Sequence, residues 1–153
     1  MTTILVAIVV CLITVFIAWA WSTAQRLNRL HIRTDSALQA LQAALDQRSA
    51  VLAALYPQHN ALVQSAQKIQ LDYETFSERS EKEKRVGACI SLLGDAVPAS
   101  LVEAEARVQL AFRFYNDAVA DTRALRVRPL VRGLRLGGTA RLPIFFELPN
   151  THD

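Results

Sequence analysis

Hydrophobic and polar positions divide the chain into stretches with different periods. From Ile4 to Trp21 the sequence reads ILVAIVVCLITVFIAWAW and has no period, because nearly every position is apolar. Its 18 residues carry no charge, and Thr14 and the indoles of Trp19 and Trp21 are its only polar side chains. As a helix this run rises about 27 Å, close to the roughly 30 Å hydrocarbon layer of a bilayer. Its Leu, Ile, Val and Phe residues together favour insertion by about 3–7 kcal/mol. A transmembrane helix is predicted, with the two tryptophans at an interface. A secretory signal is the rival, since Ala18-Trp19-Ala20 has the small-x-small form of a cleavage site. Against it stand the absence of Lys or Arg before the run and the crowding of Trp around the cut.

After Ser22 a heptad period sets in. Leu27, His31, Thr34, Leu38, Leu41, Leu45, Arg48, Leu52 and Leu55 follow one another in steps of four and three. That spacing makes one stripe of a helix packed against another helix. No Gly or Pro interrupts Ser22 to Tyr56, so span and stripe are expected to form one rod that Pro57 ends or kinks. The period resumes in phase at His59, Leu62, Ala66, Ile69, Tyr73 and Phe76, which predicts a second helix from about Gln58 to Lys84. The charges that load its far half, from Glu74 and Glu78 through Arg79, Glu81, Lys82, Glu83, Lys84 and Arg85, read as a solvated face with i,i+4 pairs such as Glu78–Lys82. Arg48 and His59, which interrupt the stripe, read as snorkelling or edge residues.

Gly87, Gly94 and Pro98 mark a break, with Val86 to Leu93 as a short helix or a loop. Ser100-x-x-Glu103 reads as a capping box. A third helix is predicted beyond it, with Leu101, Ala104, Val108, Ala111, Phe112, Tyr115, Val119 and Thr122 on one side. Leu142 to Leu148 looks strand-like, but Pro143 and Pro149 bracket it, so an extended docked tail is expected instead of a sheet strand. The fold class is therefore all-α: an N-terminal transmembrane helix followed by an antiparallel bundle of about three long helices. The organisation is an anchor at 1–24, a bundle at 25–126 and a tail at 127–153.

Composition refines this picture. The 153 residues are 52% hydrophobic and 20% charged, which excludes a disordered or linker-like chain. The net charge of +3 is too small to argue for nucleic acid by itself, but its distribution is uneven. Residues 34–121 are mildly acidic, whereas Thr122 to Phe146 hold six arginines (Arg123, Arg126, Arg128, Arg132, Arg135 and Arg141) and no acid. Interleaved with Leu and Val, these arginines suit an anionic membrane surface, a structural coat or, less well, nucleic acid, for which base-stacking aromatics are missing before Phe145. On the lipid alternative they hold the far end of the bundle against the membrane. Arg26, Arg29 and Arg33 follow the span and no basic residue precedes it. The positive-inside rule then leaves the short N-terminus outside and the bundle in the cytoplasm. Cys11 and Cys89 lie too far apart to pair, in keeping with a reducing compartment.

Candidate chemistry is sparse. The three histidines are scattered and show no metal-ligand spacing, and neither a phosphate loop nor a nucleophile motif occurs. Asp72 and Glu74 are two apart and fall on different helix faces. No catalysis, cofactor or metal is expected.

Some residues carry a family resemblance. Behind a single leading span, Leu27-Asn28-Arg29-Leu30, Asp35-Ser36-Ala37 and Gln47-Arg48 resemble the start of LemA family proteins. Late in the chain, Arg113-Phe114-Tyr115-Asn116-Asp117-Ala118-Val119 is the more specific match, flanked by Glu105-x-Arg107 and Phe145-Phe146-Glu147. The chain departs from the family in having Leu38 where a Trp is usual and its proline late, at Pro57. It also has a short stretch between Arg85 and Ser100 and an unusually arginine-rich one from Val127 to Arg141. It is similar to a divergent, shortened member. The resemblance implies a bacterial inner-membrane protein with a cytoplasm-facing bundle of long antiparallel helices. One relative is associated with building magnetosome membranes.

The expected function is a membrane-anchored scaffold or interaction protein, with self-association through helix seams as one option. The alternative is an anionic-lipid-binding protein that organises membrane through its arginines. Arg113, Phe114, Tyr115, Asn116 and Asp117 are the candidate interaction residues. Arg113 and Asp117 are expected to form an i,i+4 pair, and Asn116 and Asp117, off the seam, to bond a neighbouring helix or the tail.

Overall fold

A computed structural model describes residues 1–133 and 141–148. Helix α1 runs unbroken from Thr2 to Leu55, 54 residues or about 81 Å. The expected single rod is present. Its first part is long and apolar enough to cross a membrane, and among the described residues nothing buries it. Ile4, Leu5, Leu12, Phe16, Ile17 and Trp21 are all at least half exposed. Leu27 is the first buried residue, and Thr34, Leu41, Leu45, Arg48 and Leu52 follow it inward at the predicted spacing. Tyr56 caps α1 through its N–H on the Leu52 carbonyl, and Pro57–His59 form a 3-10 turn.

Helix α4, Ala99–Arg126, returns antiparallel along α1. Leu101, Ala104, Val108, Tyr115, Val119 and Thr122 are its buried side, as the sequence predicts. Near the start of the packed region Thr34 and Thr122 share a 3.0 Å hydroxyl bond, which two small side chains permit where the helices approach. The capping box is not used. Pro98 is the N-cap, its carbonyl accepts from the Leu101 and Val102 N–H groups, and no side chain caps the helix. Ser100 therefore already lies in the first turn, and Glu103 accepts from Arg107 instead.

The long second helix predicted over 58–84 is also absent. In its place stand α2, Asn60–Gln67, and α3, Phe76–Ser91, separated by an irregular connection. Side chains there outcompete the helical ladder. The Thr75 hydroxyl donates to the Gln70 carbonyl and accepts from the Asp72 N–H, while the Asp72 carboxylate accepts from the Tyr73 N–H. Leu71 turns into the core, its N–H satisfied by Gln42. Two long helices with two shorter ones beside their distal halves thus replace three long ones. Gly87 lies inside α3, and the helix ends at Ser91 ahead of Gly94, whose positive φ of 55° favours glycine.

Two clusters form the main core. Leu41, Leu45, Leu71, Phe76, Val108, Tyr115, Val119 and Phe146 fill the middle. Leu52, Val63, Ala66, Val86 and Leu101 fill the end remote from the apolar segment. Leu27, Leu125 and Val131, the last on α5 (Pro129–Gly133), close the end next to that segment. Each fully buried leucine contributes roughly 1.5–3 kcal/mol. Among the described residues there is no strand, and residues 141–148 are irregular chain docked on the helices.

Candidate functional site

Three places gather the polar side chains. The first is a buried ion cluster at the level of Arg48. The Arg48 guanidinium donates to Glu83 of α3 and, at 2.7 Å, to Glu105 of α4. Arg79 donates to Glu83 and to Asp46 of α1, each at 2.7 Å, and to the Ile69 carbonyl at 2.6 Å. Arg79 and Glu83 are essentially without exposed surface. Two cations and three carboxylates thereby tie α1, α3, α4 and the connection before α3. Burial works to raise the Glu105 pKa, but the attraction of Arg48 and the Gln109 amide outweigh it and hold that carboxyl below its usual range.

This cluster overturns two expectations. The charge run is not wholly a solvated face, because Arg79 and Glu83 point inward while Glu78, Glu81, Lys84 and Arg85 remain exposed. Arg48 is no edge residue, being 3% exposed. A signal was present: Phe76, Arg79, Glu83, Val86 and Ile90 continue the same heptad stripe, so the charges at its positions must face inward together with Arg48. His59 is half-buried, in keeping with an edge position.

The second place is the Arg113–Asp117 stretch. Tyr115 is buried, meets Phe76 edge-on at 6.0 Å between centroids, and donates to the Ile144 carbonyl at 2.7 Å. Burial, then the neighbouring Tyr73, pushes its phenol pKa up. Asn116 clasps Phe146 from both sides of the peptide: its amide donates to the Phe146 carbonyl and its oxygen accepts the Phe146 N–H, both at 3.1 Å. The expected bond from Asn116 to the tail is thus present. Ser80 donates to the Glu147 carbonyl, and Phe146 packs against Phe76 at 5.1 Å. The stretch is therefore divided. Tyr115 and Asn116 strap down the tail, whereas Arg113, Phe114 and Asp117 are exposed, and the expected Arg113–Asp117 pair does not form.

The third place is the end beside the apolar segment. Arg33 of α1 pairs with Asp121 at 3.2 Å. Arg123 donates to the Pro143 carbonyl and lies 5.6 Å above the Phe145 ring. Arg126 is half-buried in the last turn of α4, and Arg128 and Arg132 are exposed beyond it. Arg141 pairs with Glu74 on the surface of the bundle. Arg135 lies outside the described residues. Because α4 is antiparallel to α1, Arg123 to Arg132 stand next to Leu27, at the near end of the bundle. The expectation that they hold its far end is corrected.

Among the described residues no group of His, Cys, Asp and Glu is placed to hold a metal ion. Comparison of the chain with family models, with curated proteins and with solved structures finds no match.

Proposed function

We propose that this chain is a single-pass, membrane-anchored helical scaffold of the bacterial inner membrane, with no catalytic role. The observation that carries this reading is the change of environment along one unbroken helix. The first part of α1 is bare and apolar, and from Leu27 onward the same helix is covered by α4. Bare apolar surface on that scale is stable only when lipid or protein covers it. The excess of Arg26, Arg29 and Arg33 just after the span supports a cytoplasmic bundle by the positive-inside rule, with the residues before Ile4 on the other side. Similarity of the Arg113–Asp117 stretch to LemA proteins supports the same placement. On the outer face of α4, Leu110, Arg113, Phe114 and Asp117 are the residues offered to a protein partner, first of all a second copy held parallel in the same membrane. There Arg113 of one copy can face Asp117 of the other.

The test is topology. A reporter active only in the cytoplasm, fused after Asp153, is expected to be active, and one active only after export to be silent. The reverse result sinks the orientation and with it the cytoplasmic scaffold.

A second reading, engagement of anionic lipid through the arginines, is favoured by the antiparallel return of α4 to the apolar end of α1.

A further inference from the structure

Residues 141–148 sit on the helices as a bound peptide sits on its receptor. Five hydrogen bonds run between helix side chains and the backbone of this strap. Ser80 of α3 donates to the Glu147 carbonyl; from α4, Tyr115 donates to Ile144, Arg123 donates to Pro143, and Asn116 bonds both the N–H and the carbonyl of Phe146. Bonds to backbone do not read side chains, so Pro143 and Phe146, the two buried side chains of the strap, specify the segment. Phe146 enters a groove between α3 and α4, where Phe76 meets it at 5.1 Å and Phe112 at 6.5 Å between ring centroids.

Docking leaves the outward edge of the strap apolar. Leu142, Ile144 and Phe145 keep 47%, 39% and 48% of their surface. Together they offer roughly 250 Å² for contact with another surface. That is far below the roughly 800 Å² per partner of a standard interface, so the edge is too small to hold a partner by itself. Exchange of straps supplies the rest with no new chemistry. When each of two copies lays its strap in the other's groove, the same five bonds and the same Phe146 packing form twice across the interface. The outward edges then lie where the two bundles meet. Copies anchored through α1, as put forward above, stand parallel in one membrane with their grooves at equal height. Eight links join Gly133 to Arg141 and span at most about 29 Å, so only a copy packed directly alongside is within reach.

We propose that the groove between α3 and α4 is a docking site for the strap of a second copy, and that neighbouring chains exchange straps to form a dimer. This rests on the shared anchoring of the copies, but not on the outer face of α4.

The test uses full-length chains with Cys11→Ser and Cys89→Ser. One chain carries Ser80→Cys and one tag, the other Glu147→Cys and a second tag. Both are expressed in one cell and treated in isolated membranes with a short bis-maleimide. A cross-linked species bearing both tags is expected, reduced several-fold when the Glu147→Cys chain also carries Phe146→Ala. A single chain with both cysteines shows that the reagent bridges groove and strap. Internal links there, with no mixed species between chains, overturn the exchange. An equal yield from Ala43→Cys, on the exposed face of α1, in place of Ser80→Cys reduces the link to collision and also overturns it. As a second measurement, the two tags are expected to co-purify in mild detergent and to separate when both chains stop before Arg141. Co-purification that survives this truncation overturns the exchange and leaves self-association to another face. Absence of the chains from the membrane fraction overturns the anchor as well.

Discussion

Arg79 and Glu83 carry full charges with almost no exposed surface, and their cost in lost hydration is met only because each has partners. Removing one partner leaves the rest uncompensated. Glu83→Ala is expected to lower unfolding free energy by about 3–5 kcal/mol in chemical denaturation. Glu81→Ala, two positions away and exposed, should stay within about 0.5 kcal/mol. Glu105 adds a pH dependence of definite sign. Its carboxyl is held below the ordinary value of 4.5, so the folded state binds that proton less readily than the unfolded state. Its contribution is complete above that ordinary value and is lost as pH falls through the lowered one. Stability followed from pH 7 to pH 3 should therefore decline below about 4.5, and Glu105→Gln should remove part of the decline.

At the scale of elements, residues 141–148 behave as a strap held by α4. Three side chains of α4, Tyr115, Asn116 and Arg123, bond carbonyls of the strap, and Phe146 is its anchor in the core. Asn116→Ala deletes one of these bonds together with the bond it accepts from the Phe146 N–H, and leaves the N–H and the carbonyl of Phe146 unmet, a cost of roughly 1–3 kcal/mol for each one that stays buried. Limited proteolysis should then cut within 141–148 much faster than in the wild type, while α1 and α4 stay protected. Equal cutting would mean that Phe146 packing alone holds the strap. This strap was half legible. The flanking prolines excluded a sheet strand, and the off-stripe position of Asn116 made it available, but only the folded chain shows which peptide it clasps. The break before α3 was not legible from periodicity. Ile69, Tyr73 and Phe76 keep the heptad phase across it, so the stripe continues although the helix does not. The signal lay in Asp72 and Thr75, whose short side chains compete for backbone groups.

At the scale of the whole molecule, the bare part of α1 and the packed part are independent in their energetics. No residue before Leu27 is buried, so residues 25–153 should fold without the apolar segment. Their thermal midpoint is expected to lie within a few degrees of that of the full chain in detergent, and a large fall would show that the segment supports the bundle. The same geometry explains why Arg123 to Arg132, distant in sequence from the span, stand beside it. A helix of 28 residues rises about 42 Å, enough to carry the chain from the remote core cluster back to Leu27.

The sequence by itself determined the quantities that depend on local order. These are the apolar run, the unbroken rod, the heptad stripe of α1, the buried side of α4 and the end of α1 at Pro57. Each follows from side-chain period and backbone freedom within a few turns. Tertiary structure alone decided what depends on pairing between distant segments. It turned Arg48, Arg79 and Glu83 from surface charges into a buried cluster, since a charge faces inward only where another helix supplies its counterion. It also brought the two sets of arginines to one end, because the direction of a returning helix is a property of the packed molecule and of no single stretch of it.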